Sequence, residues 1–60
     1  MHNLDIVRDA LLKQFTSVQV STFMEFLKQD EDLLLLVDKN VNKAIDVCTE
    51  ILRIALDKTE

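Results

Sequence analysis

Asp46 and Glu50 are four residues apart, so on a helix they share a face. Two carboxylates held close together can divide into an acid and a base. That chemistry also needs a cleft, a nucleophile or a third polar partner, and the sequence supplies none, so the pair reads as a solvated face. Cys48 falls on the apolar side of the same stretch. A reactive thiol needs a base or cation to ionise it. None is spaced to do so, and Cys48 reads as a small core hydrophobe. As the single cysteine it makes no internal bridge, which suits a reducing compartment.

The remaining candidates are sparser. His2 stands without the ligand grouping a metal requires. Asp30, Glu31 and Asp32 are rich in oxygen, but a cation loop alternates its ligands and usually turns on glycine. Here the apolar run Leu33–Val37 begins at once, and the chain has no glycine. These carboxylates read as a helix start, with Asp30 or Asp32 as its cap and the charges facing the positive end of the dipole. Ser17 and Ser21 have no histidine arrangement, and there is no glycine-rich phosphate loop. Phe15, Phe23 and Phe26 are the only aromatics. They read as filling for a small core, not as a cofactor box. The expectation is a protein with no catalytic, cofactor or metal site.

Charge narrows the partners. Eleven acidic residues against seven basic give a net charge of −4. Phosphate backbones are bound by Lys/Arg patches, and the chain shows none. Nucleic-acid binding would need Arg8, Lys13, Lys28, Lys39, Lys43 and Arg53 to converge in space. Asp5, Arg8 and Asp9 interrupt any N-terminal signal region. No segment approaches the roughly 20 apolar residues of a membrane span. A cytoplasmic protein with no membrane partner is expected.

Sixty residues allow one domain at most. A chain this short buries only about 60% of its unfolded surface and is marginal alone. Its stability must come from helix packing, from association, or from both. With no glycine and no proline, the connections must be short and made of ordinary polar residues.

The elements that place these residues are helices. Leu34, Val37, Val41, Ala44, Cys48, Ile51 and Ala55 recur at alternating steps of three and four, a heptad rhythm. Leu33, Leu36, Ile45, Leu52 and Leu56 widen this stripe, and Val47 and Ile54 fall further round. The pattern predicts one helix over about 31–58, roughly 42 Å long. Asp38-Lys39-Asn40 is its most plausible interruption, but no strong breaker enforces one. A first helix is expected over about 4–15, with Asn3 as N-cap and Asp5 in its first turn. Asp5–Arg8, Asp9–Lys13, Glu50–Arg53 and Arg53–Asp57 are spaced to pair. Thr16 and Gln19 fit a capping box, as do Thr22 and Glu25; the first is preferred and opens a second helix over about 17–29, burying Val20, Phe23, Met24 and Leu27. The fold class is all-α: a small antiparallel bundle, two short helices packed on one long C-terminal helix.

Two short helices cannot cover a long helix that is apolar on more than one side. The five consecutive apolar residues Leu33–Val37 span its whole circumference, and exposed apolar patches usually mark a partner surface. Leu33, Leu34, Leu36, Val37, Val41, Cys48, Ile51 and Leu52 are the interface candidates. The expected function is protein–protein interaction without catalysis, as a homodimeric regulatory or adaptor module, with a larger protein as a further partner. The alternatives are a purely structural helical dimer and, more weakly, a helical nucleic-acid binder.

Overall fold

The computed structural model describes residues 2–58 and builds them from four helices: α1 (Asn3–Leu11), α2 (Ser17–Leu27), α3 (Glu31–Lys39) and α4 (Val41–Lys58). The all-α class is as expected, and the long C-terminal helix is not. The chain bends at Asn40, whose backbone is extended (φ −155°, ψ 85°). Its N–H still donates to the Leu36 carbonyl at 2.8 Å, closing α3. Its Oδ1 accepts from the Lys43 N–H at 3.1 Å, and its carbonyl accepts from the Ala44 N–H at 2.9 Å, opening α4. One asparagine thus ends one helix and caps the next. The break lets α3 pack on α4, and the longest dimension of the molecule is 33 Å. A continuous helix would need roughly 42 Å.

Each short helix also stops before its expected end. After Leu11 the chain tightens into i→i+3 turns, with Lys13 N–H on the Ala10 carbonyl and Gln14 N–H on Leu11. Thr16 then turns extended (ψ 160°) to cap α2. The capping box forms as read from the spacing. Thr16 Oγ1 accepts from the Gln19 N–H at 3.2 Å, and Gln19 Oε1 accepts from the Thr16 N–H at 3.0 Å. At the far end of α2, Asp30 N–H reaches back to the Leu27 carbonyl, while its carboxylate accepts from the Leu33 N–H at 3.1 Å. The cap of α3 leaves no room for α2 to run on to 29.

Asn3 is not a cap. It lies inside α1, behind an extended His2 whose side chain makes no capping bond. Its Nδ2 instead donates to the Val37 carbonyl at 3.2 Å. That carbonyl sits in the last turn of α3, where the break at Asn40 leaves acceptors without the next turn's donors.

The core collects Val7 and Leu11 from α1, Val20, Phe23, Met24 and Leu27 from α2, Val37 from α3, and Ala44, Cys48 and Leu52 from α4. Thr49 is buried beside them, its hydroxyl donating to the Ile45 carbonyl at 2.7 Å. On α4 the buried row runs Ala44, Cys48, Leu52 and on to Leu56, which packs against the core. Ala55, placed on the stripe by the heptad rhythm, is exposed. A straight helix drifts about 20° per heptad away from a 3.5-residue repeat. Two turns along α4, the i+4 row has replaced the heptad row as the inward one.

Candidate interaction surface

The eight interface candidates divide by depth. Val37, Cys48 and Leu52 are buried in the chain's own core. Leu33, Leu36, Val41 and Ile51 are half-buried and packed against that core. Leu34 is half-buried beside them on the sequence, on the rim of α3. The α3–α4 bend accounts for this arrangement. By folding Leu33–Val37 back over α4, it covers within one chain much of the face that a continuous helix would have left open.

Other apolar side chains face outward. Val18 is 74% exposed, Leu35 55%, Ile54 54%, Phe26 52% and Leu12 42%. Phe26 was expected in the core with the other aromatics. Its ring packs on Phe23, with centroids 5.8 Å apart and tilted by 43°. Phe23 lies on the buried row of α2 beside Val20 and Leu27, while Phe26 sits round the helix from it and keeps half its surface in water.

The outer face of α2 is the least charged in the molecule. In Ser17–Leu27 the only charged residue is Glu25, and the exposed positions otherwise hold Ser17, Val18, Ser21, Thr22 and Phe26. A surface helix ordinarily turns a charged face outward. The feature is visible in the sequence, where Glu25 is the single charge in eleven residues. Of the other helices, α1 makes the most contact with α2.

Between α1 and α2 run two shallow hollows that share Arg8, Met24 and Lys28. One, of about 280 Å³, continues along Leu12, Ser17 and Ser21; the other, of about 340 Å³, along His2, Leu4 and Asp5. Both are small and open for a ligand pocket. The cations on their walls are matched locally. Arg8 lies 3.3 Å from Asp5 and 3.2 Å from Asp9, and Lys28 lies 3.3 Å from Glu25. Asp9 therefore meets Arg8 where Lys13 was expected. On α4, Arg53 pairs with Glu50 at 3.5 Å and donates to Gln14 Oε1 at 2.6 Å. Of the two carboxylates spaced to meet it, Glu50 and Asp57, the guanidinium lies beside Glu50. Exposed pairs of this kind contribute little to stability.

The residues weighed for chemistry are dispersed. Cys48 is fully buried, and burial pushes its thiol above the ordinary value, with the Asp30 carboxylate adding to the rise. A thiol so placed is held protonated. Asp46 and Glu50 are exposed, with Glu50 turned to Arg53. Asp30 caps α3, and Glu31 and Asp32 occupy its first turn. Among the described residues no three His, Cys, Asp or Glu side chains gather as a metal site would need. No helix there is long and apolar enough to cross a membrane. No protein-family model matches the sequence, and comparison with curated proteins and with solved structures returns no match.

Proposed function

We propose that this chain is a non-enzymatic helical interaction module that works as a homodimer in a regulatory or adaptor role. One observation carries the reading. Among the described residues, five large apolar side chains, Leu12, Val18, Phe26, Leu35 and Ile54, stay in water, against ten apolar residues buried in the core. Scattered exposed apolar groups are ordinary. Two of these five share a helix whose outer face has almost no charge, which is the composition of an interface core. A second copy would cover that surface and add burial that a chain of this size lacks. Net charge supports a protein partner over a phosphate backbone. Arg8, Lys28 and Arg53 each lie within 4 Å of a carboxylate of the same chain.

Sedimentation equilibrium from low micromolar to millimolar concentration tests the reading. The expected result is a mass that rises toward twice that of the chain. A mass that stays at one chain throughout removes it.

A further inference from the structure

We infer that two copies of this chain exchange their α4 helices. The bend at Asn40 straightens, residues 31–58 run as one helix, and each α4 packs on α1–α3 of the other copy. This rests on the homodimer reading above for the number of copies. It uses contacts the chain already makes with itself, so no outward face has to find a cover.

The hinge is one residue long. Asn40 alone separates α3 from α4. Both of its backbone bonds are those of an unbroken helix, its N–H on the Leu36 carbonyl and its carbonyl on the Ala44 N–H. The bend therefore lies in the dihedrals of Asn40 (φ −155°, ψ 85°), against about −63° and −42° in a helix. Straightening places the Val41 N–H on the Val37 carbonyl, Asn42 on Asp38 and Lys43 on Lys39. In the bent chain side chains stand in at two of these groups. Asn3 donates to the Val37 carbonyl, and Asn40 Oδ1 accepts from the Lys43 N–H. No glycine or proline opposes the continuous helix. Hinges of a few element-terminal residues absorb such changes, and short hinges invite the exchange of an element between copies.

The core requires a second copy for the straight form. Leu34, Val37, Val41, Ala44, Cys48 and Ile51 keep alternating steps of three and four across Asn40, so straightening leaves the inner sides of α3 and α4 on one face. Val37, Ala44 and Cys48 are 1%, 0% and 0% exposed in the bent chain. A single straightened chain would put this row in water. A second copy covers it with a surface that already fits. That surface survives the departure of α4, because α1 contacts both α2 and α3. The exchange is reciprocal, so two copies close two-fold and leave neither α4 unpaired. The bond from Arg53 to Gln14, 2.6 Å within the bent chain, then joins the two copies.

This bond supplies the test. Gln14 and Arg53 are exposed, so Gln14→Glu with Arg53→Lys leaves the core alone. A carbodiimide joins the new carboxylate to the new amine without a spacer. Isotope-labelled and unlabelled chains are unfolded, mixed in equal amounts, refolded at high concentration and linked. In the dimer about half of the links between positions 14 and 53 are expected to carry both labels, since each joins two chains. Asn40→Ala is expected to dimerise at least about tenfold more tightly than Asn40→Gly, because alanine favours the continuous helix in both copies. Gly-Ser-Gly inserted after Asn40 is expected to keep the helical spectrum and hold the mass at one chain. If dimers form but their 14–53 links carry a single label, the exchange is overturned and the homodimer reading stands. Insertion dimers as tight as those of the wild type overturn it equally. A wild-type monomer at every concentration overturns both.

Discussion

The side-chain amide of Asn3 donates to the main-chain carbonyl of Val37 at 3.2 Å, across 34 residues. This bond ties the first turn of α1 to the last turn of α3. It supplies a donor to a carbonyl that a continuous helix would have satisfied itself. Asn3→Ala removes the donor and leaves the carbonyl partly buried. The expected loss is about 1 kcal/mol, seen as a lower urea midpoint with the slope unchanged. A midpoint equal to wild type would mean the bond contributes nothing in solution.

Asn40 holds the bend between α3 and α4 through its Oδ1 on the Lys43 N–H. Asn40→Ala should cost about 1 kcal/mol, and Asn40→Gly only a few tenths. The order matters more than the size. If Ala is tolerated better than Gly, helix propensity outweighs the cap at this position, and the bend is not stabilised by Asn40.

Buried and exposed leucines should separate sharply. Leu52 is 5% exposed and Leu35 is 55%. Leu52→Ala is expected to cost about 2–5 kcal/mol, a large share of the total stability of a small domain. Leu35→Ala should stay within about 0.5 kcal/mol. Thermal or urea unfolding of the two variants side by side checks this, and similar losses at both positions would place Leu35 in a buried contact.

Cys48 should make stability fall at alkaline pH. Its thiol is raised by burial and by Asp30. Below the ordinary thiol value of about 8.5 it is protonated in the folded and unfolded chains alike. Above that value the unfolded thiol ionises while the buried one does not. The unfolded chain then binds fewer protons, and stability declines as pH rises toward the folded value. Urea midpoints measured from about pH 8 to 10 should fall more steeply for wild type than for Cys48→Ala. Parallel curves would show that the thiol titrates alike in both states.

Much of this fold was legible because its signals are short-range. The Thr16–Gln19 box, the Asp30 cap and the buried row Val20, Phe23, Met24 and Leu27 depend on residues three or four apart. The surface was harder to read. Leu33–Val37 is apolar right round its helix and reads as too apolar to be covered, yet Val37 is buried and Leu33 and Leu36 pack on the core. The quieter signal lay in α2, where Val18, Ser21, Thr22 and Phe26 replace the charges an outer face usually carries.

The sequence by itself determined that the chain is helical and that Val20, Phe23, Met24 and Leu27 turn inward, and it narrowed the start of α2 to Thr16 or Thr22 and of α3 to Asp30 or Asp32. Caps and periodicities are set by neighbours along the chain, so local residues suffice. Only the tertiary structure decided whether residues 31–58 form one helix or two. Asn40 can sit in a helix or cap one, at locally similar free energy. The balance is tipped by contacts the local pattern does not contain. These are α3 folded against α4, and Asn3 reaching over from α1 to the Val37 carbonyl.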